Sequence, residues 1–369
     1  MPPLLSKRVA LYLPMLSGGG AERVMVTLAN AFTNRGIGTD FVLSKAEGPY
    51  LKNISPKVRI IHLNTSRMLT SVLPLAKYIQ KEQPQAMLTA LRHANVIAIL
   101  ATKLANFPLR LVISERSPLI STRAYAKGFR TRVMPFLMRL FYPKAYKVVA
   151  VSQGVADDLV LLTGLPRERI QVIYNPIDAP RIEVLGKSPP EHPWFAPNQP
   201  PVVLGVGRLT PLKSFKTLIN AFSKLRDRRS VRLVILGEGE LRNELQLLIE
   251  NLGLTNEIAL PGFVDNPYAW MRAAKLFVLT SIWEGLPCAL IEAMACGTSV
   301  VSTDCPYGPS EVLENERWGR LVPVGDTIAL AEAMDSALND PNPPDVRKRA
   351  ADFSVNNAVV EYMKALDIN

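Results

Sequence analysis

The chain has 369 residues, 48% of them hydrophobic and 20% charged, which suits two globular domains and excludes a disordered polymer. No apolar run reaches the ~18–20 residues of a membrane span, and Lys7 and Arg8 lead straight into an alternating strand where a signal peptide would continue apolar. The net charge of +11 is uneven: residues 1–180 carry 24 Lys and Arg against 9 Asp and Glu, residues 181–369 carry 19 against 23, so an anionic partner is expected for the first half only.

Arg8 to Leu13 reads as a strand, and Val24 to Phe32 has helical spacing. Between them stands Ser17-Gly18-Gly19-Gly20-Ala21-Glu22-Arg23, where glycines let a ligand approach the backbone. A dinucleotide fold is the rival reading. The glycine spacing is wrong for G-x-G-x-x-G, and Asp40 begins the second strand where that fold needs an acid at its end. Strands near Thr39–Leu43, Val58–His62 and Ala86–Thr89 and a helix near Val72–Lys81 continue the α/β alternation. His93 starts the next helix, and a lone His there reads first as a cap or a packed residue. Leu111 to Ser114 is a buried strand, and Arg116 leaves its C-terminal end, where doubly wound sheets bind ligands.

Residues 123–147 carry Arg123, Lys127, Arg130, Arg132, Arg139, Lys144 and Lys147 without one acid. Phe129, Val133, Phe136, Leu137 and Leu140 fit one helical face, kinked at Pro135. A basic amphipathic helix predicts contact with an anionic membrane surface. A core-packing helix with a solvated basic back is the alternative, and nucleic acid is a third option that no recognition motif supports. A strand at Val148–Ser152, a helix at Ala156–Leu162 and a strand at Ile170–Ile173 follow. Pro- and charge-rich residues 179–200 read as a linker.

The second half restarts the pattern with a strand to Val206, then Gly207-Arg208-Leu209-Thr210-Pro211-Leu212-Lys213 entering a helix. Two cations at a helix N-terminus suit a diphosphate. Arg232 to Gly239 is a strand ending in G-E-G, and Leu260-Pro261-Gly262-Phe263-Val264 closes another. Leu276 to Leu279 is a buried strand. Glu284 lies on the loop after it, Gly285, Leu286 and Pro287 form a turn, and a helix carries Glu292 to a stop at Gly297. Eight residues separate the two acids, at most roughly 12 Å along a helix, so both could serve one elongated polar ligand. Cys288, Cys296 and Cys305 have no histidine beside them and read as buried thiols of a reducing compartment, which argues against a metal site. Helices are expected at Asp326–Leu338 and Val346–Leu366.

The stretch E-G-L-P-C-A-L-I-E-A-M-A-C-G from Glu284 resembles the signature of the retaining, GT-B-fold glycosyltransferases of family 4, also described as group 1. The resemblance covers almost the whole chain. It implies that Glu284 lies by the donor sugar and that Glu292 holds the ribose. Arg208 and Lys213 match the family's G-R-L-x-x-x-K element, which neutralises the leaving diphosphate. Val264 falls where the family receives the base, and Gly19, Gly20 and Arg23 fall in its G-G-x-x-R loop, which faces diphosphate and acceptor. Many members carry His where Arg116 stands; Arg116 and His93 are acceptor-side candidates. Tyr174 to Asp178 looks like the interdomain hinge, and relatives with a loop like Cys305 to Glu311 build surface polysaccharides and lipid-linked oligosaccharides.

The expected architecture is therefore α/β, two Rossmann-like doubly wound domains facing across a cleft: residues 1–178, a linker at 179–200, a donor domain at 201–345, and a last helix at 346–369 packing back on the first domain. The expected reaction moves a hexose or N-acetylhexosamine, with retention, from a nucleotide diphosphate sugar to a polyprenyl-diphosphate-linked saccharide. Glu284, Arg208 and Lys213 are its catalytic residues, and no cofactor or metal is required, since no D-x-D motif appears. Arg123, Lys127, Arg130, Arg132 and Arg139 would hold the protein on the cytoplasmic face of the inner or plasma membrane, and no nucleic acid is expected. A nucleotide-sugar epimerase of the same fold and a non-catalytic basic protein are the rivals.

Overall fold

The computed structural model describes residues 8–65, 69–118 and 129–368, and of residues 129–132 the backbone alone. The chain forms two compact units, Met1–Pro176 with Val355–Asn369, and Ile177–Ser354.

The first unit holds a parallel sheet of β1 (Arg8–Leu13), β2 (Gly38–Leu43), β3 (Arg59–His62), β4 (Ala86–Ala90), β5 (Arg110–Glu115), β6 (Lys147–Ala150) and β7 (Ile170–Val172). Their spatial order is β3-β2-β1-β4-β5-β6-β7. The second unit holds β8 (Val202–Val206), β9 (Arg232–Leu236), β10 (Ile258–Gly262), β11 (Leu276–Leu279), β12 (Ser299–Thr303) and β13 (Arg320–Val322), ordered β10-β9-β8-β11-β12-β13 and also parallel. Helices on both faces bury the central strands completely, which is why runs such as Ala86–Ala90 and Leu276–Leu279 are largely apolar without alternation. Strand order reverses between β1 and β4 and between β8 and β11. At such reversals the loops leaving the strands diverge and open a ligand site.

Two elements depart from the sequence reading, and a third bears on its alternatives. The terminal segment is not one helix: Arg347–Ala350 gives way to a 3-10 turn, Ser354 is extended and bridges Ile177, and a new helix runs Val355–Leu366. That helix belongs to the first unit, where Ala358, Val359 and Tyr362 join the core around Met25 and Phe32. Residues 179–200 are not bare linker, because Asp178 caps a helix at Ala179–Leu185 by accepting from the Arg181 N–H. The basic stretch contains a helix at Phe129–Phe141 with Pro135 inside it; among its described side chains Met138 is buried, as is Tyr142 just after it, while Phe136 is 66% and Leu140 48% exposed. The apolar face inferred from spacing thus points outward in part.

Asp40 has a structural task. Its side chain is 1% exposed and accepts from Arg8 Nη2 at 2.6 Å, Arg59 Nη2 at 2.5 Å and Tyr78 Oη at 2.7 Å. Burial pushes its carboxyl up, but these donors outweigh burial and hold it below the usual carboxylate range. A folded-state value below the unfolded one stabilises the fold above the unfolded pKa, and that stability is lost as pH falls through the folded one. Asp40→Asn should therefore cost about 2–3 kcal/mol at neutral pH, because Arg8 and Arg59 are partly solvated and not stranded. Urea titrations should show the gap from wild type closing as pH drops below about 4.

Candidate active site

The second unit assembles its site from the loops that leave β8, β9, β10, β11 and β12. The loop after β8 is stitched to its neighbours by backbone bonds: Leu209 N–H donates to Glu238 O at 2.9 Å, Leu241 N–H to Leu209 O at 3.0 Å, and Gly237 N–H to Gly262 O at 2.8 Å. Gly237 has φ +133°, and a Cβ there would sit 2.0 Å from the Gly207 carbonyl oxygen, so only glycine allows this approach. The loop after β11 is joined to it by Ile282 N–H to Leu212 O at 2.9 Å and Thr280 Oγ1 to Lys213 O at 2.8 Å.

These ties bring Lys213 and Glu284 together. Lys213 Nζ donates to Glu284 Oε1 at 2.5 Å, with the side chains 22% and 12% exposed. Ser281 Oγ donates to the same Oε1 at 2.6 Å. Among the described residues Glu284 Oε2 has no partner, so half of the carboxylate is left for a ligand. The Glu284 N–H is held by Pro306 O at 3.2 Å. The loop carrying Pro306 presses on the turn: Gly308, at φ +94°, would drive a Cβ to 2.6 Å from Pro287 Cδ, and Tyr307 before it has φ +69°, which is strained for a bulky residue. Arg208 is exposed on the same β8 loop, and its guanidinium has no hydrogen bond or ion pair among the described residues.

Glu292 lies on the helix Cys288–Ala295, 7% exposed, and accepts from Tyr268 Oη at 3.4 Å. Gly285, Leu286 and Pro287 are buried in the turn before that helix, and Val264 is half-buried on the loop after β10. The Cys296 thiol is pushed up to about 12 by burial and then by the Glu292 charge; Cys305 reaches about 12 by burial and then by Glu284. Among the described residues no cluster of three His, Cys, Asp or Glu side chains could hold a metal ion.

In the first unit Gly18 has φ +100°, Gly19 caps the helix Gly20–Asn34, and Arg23 lies half-buried in its first turn with its N–H on Gly19 O at 3.1 Å. His93 is exposed at the start of the helix Arg92–Ala105, after Leu91 at φ +77°. Arg116 donates to Asn175 Oδ1 at 2.6 Å and to Tyr362 Oη at 3.1 Å, so its guanidinium binds the hinge sequence to the last helix. Arg123 and Lys127 lie outside the described residues. Arg130 and Arg132 sit on the helix Phe129–Phe141, and Arg139 is exposed there.

Two residues that sequence reasoning passed over stand out. Ser281 is fully buried beneath Glu284. Arg92 pairs with Glu115 at 3.1 Å and holds Ser117 O at 2.7 Å and Pro118 O at 2.9 Å. Burial pushes Glu115 above the usual carboxylate range against the pull of Arg92 and a 3.0 Å bond from Tyr142 Oη. Ser281 had one available signal: a polar pair, Thr280-Ser281, ends an otherwise apolar strand beside a motif acid.

Two family models match the chain: Glycosyltransferase Family 4 over residues 18–181 and Glycosyl transferases group 1 over residues 191–356. The chain is 29% identical over 343 residues, 90% of its length and 91% of the relative's, to an N-acetylgalactosamine-N,N'-diacetylbacillosaminyl-diphospho-undecaprenol 4-alpha-N-acetylgalactosaminyltransferase of Campylobacter jejuni. Among solved structures it is similar to a glycosyltransferase from Rickettsia africae, with TM-score 0.83, 20% identity and 98% of both chains covered. It is similar also to HepE of Anabaena solved with UDP, with TM-score 0.78, 24% identity and 98% and 99% covered. These likenesses give the fold as GT-B, two parallel-sheet α/β domains.

The backbone clamp at Gly237 has a direct test. Gly237→Ala should destabilise the second unit by more than the ~1 kcal/mol of an ordinary glycine replacement, because the carbonyl it meets is backbone and cannot move aside. Chemical denaturation followed by tryptophan fluorescence would measure it.

Proposed function

We propose that this chain, which belongs to the family 4, group 1 glycosyltransferases, moves a hexose or N-acetylhexosamine from a UDP-sugar onto a polyprenyl-diphosphate-linked saccharide, with retention at the anomeric carbon. The observation that carries the reading is the Lys213–Glu284 pair at the reversal of the second sheet, with Glu284 Oε2 and the Arg208 guanidinium left unengaged. That arrangement offers a carboxylate oxygen to sugar hydroxyls and two cations to a diphosphate within one set of loops. The lipid-linked acceptor is supported by the undecaprenol substrate in the name of the Campylobacter relative, and the UDP donor by the HepE complex.

The chain's residues then divide the work. Arg208 and Lys213 neutralise the departing diphosphate, a task preorganised charges perform without reorganising. Glu284 orients the sugar, Glu292 takes the ribose, and the turn Gly285–Pro287 closes against the donor. The departing phosphate accepts the acceptor's proton, so no carboxylate attacks the sugar. Gly19 and Gly20 face the donor diphosphate, and Arg23 borders the acceptor side. Arg116 serves there by holding the Asn175 and Tyr362 side chains together.

Calorimetry with UDP-sugars tests this. Arg208→Ala, Lys213→Ala and Glu292→Ala should each weaken binding about tenfold or more, the loss of one charge-assisted contact, while turnover persists in EDTA. Unchanged affinity in all three, or activity restored only by magnesium or manganese, would contradict it.

Among the described residues no helix is long and apolar enough to cross a membrane. We assign membrane contact, on the cytoplasmic face, to the helix Phe129–Phe141, where exposed Phe136 and Leu140 flank exposed Arg139. Each basic residue near an anionic surface contributes about 1 kcal/mol. Phe136→Ser combined with Arg139→Glu should reduce sedimentation with anionic liposomes at low salt and leave UDP-sugar affinity unchanged. Wild-type protein that ignores such liposomes would refute the assignment.

A further inference from the structure

We propose that Ser281 is a positioning residue that keeps the Glu284 carboxylate aimed at the donor sugar while the incoming diphosphate draws Lys213 away. The inference rests on the donor reading above and adds a residue to which that reading gives no role.

Glu284 Oε1 takes two donors, Lys213 Nζ at 2.5 Å and Ser281 Oγ at 2.6 Å. They differ in what a ligand does to them. Lys213 is 22% exposed on a four-carbon stem, and a diphosphate presents more negative charge to it than one carboxylate does. As the diphosphate docks, the ammonium redistributes toward it. Ser281 has no such freedom. Its side chain is fully buried, it lies only two residues past the end of β11, and its carbonyl accepts from Thr303 Oγ1 at 2.7 Å, which fastens it to β12. The neighbouring backbone is fastened to the β8 loop through Thr280 Oγ1 and Ile282 N–H. A hydroxyl held this way donates to Oε1 whether or not Lys213 does, and leaves Oε2 turned to the site. A carboxylate that swung after Lys213 would lose that aim, and small displacements of an orienting group are costly to reaction geometry.

The test reads sugar-dependent binding, which needs no acceptor. Calorimetry with UDP and with UDP-N-acetylgalactosamine compares wild type, Ser281→Ala, Ser281→Thr, Glu284→Gln and the Ser281→Ala/Glu284→Gln double variant. Ser281→Ala should leave UDP affinity within about twofold and weaken UDP-N-acetylgalactosamine about five- to tenfold. Ser281→Thr, which keeps the hydroxyl, should recover most of the loss, and the double variant should be no weaker than Glu284→Gln alone. Thr303→Val, which loosens Ser281 without touching it, should give a smaller loss of the same kind and serves if Ser281→Ala does not fold. Equal weakening of both ligands, or losses from Ser281 and Glu284 that add, would overturn the role of Ser281. Wild type that binds neither ligand, or Glu284→Gln without effect, would overturn the donor reading itself.

Discussion

The ion pair between Lys213 and Glu284 closes the gap that sheet topology opens. Where β8 and β11 lie side by side, their crossovers leave in opposite directions, and nothing in the strands holds the two loops together. The bonds from Ile282 N–H to Leu212 O and from Thr280 Oγ1 to Lys213 O do so, and the pair adds to them at 2.5 Å, with both side chains mostly withdrawn from water. Its stabilising effect is modest, since the ions are partly desolvated. Its effect on placement is larger, because it sets where one carboxylate oxygen is occupied and where the other is free. The glycine contacts at Gly237 and Gly308 serve the same end: each lets one loop backbone lie directly on another, so the site is held by backbone more than by side chains.

The two units apply one topology to different purposes. At the reversal of the first sheet, between β1 and β4, the flanking loops carry glycines and a strained Leu91, and the cations nearby are turned inward. Arg92 is committed to Glu115, Ser117 and Pro118, and Arg116 to Asn175 and Tyr362. In the second unit Arg208 is presented outward and Lys213 is shared with an acid. Part of the large positive charge of the first half is structural: Arg8 and Arg59 pair with buried Asp40, and Arg92 with buried Glu115.

Most of this was legible from residue order. Buried parallel strands announce themselves as short apolar runs, and the G-R-L-x-x-x-K and E-x7-E elements were placed on the loops where the structure has them, because turn chemistry and helix starts are local. Asp40 was read correctly as out of place for a dinucleotide fold, but its partners Arg59 and Tyr78 lie 19 and 38 residues away, and no spacing rule reports such a network. The same holds for Ser281, whose value depends on a carboxylate reached through a turn and a threonine on another strand. The terminal helix was read as one piece because Ala350 to Val355 contains no glycine or proline; its break comes from the pairing of Ser354 with Ile177, a tertiary contact.

The basic helix shows how far one such contact reaches. Spacing put Phe136 and Leu140 on one helical face, to be set either on a membrane surface or in the core. Met138 is the buried residue, two residues and ~200° around from Phe136, and Tyr142, one turn beyond it, is buried too. What decides the rotation is the polar end of Tyr142, whose hydroxyl donates to Glu115 Oε2 at 3.0 Å and accepts from Asn95 Nδ2 at 3.2 Å. A buried carboxylate that has Arg92 on one oxygen still needs a donor on the other, and the tyrosine supplies it. With that ring drawn in, Phe136, Arg139 and Leu140 are left facing water as a stripe of two apolar residues around a cation. The outward stripe and the segment leaving β5, which Arg92 also grips through Ser117 and Pro118, thus depend on one buried carboxylate.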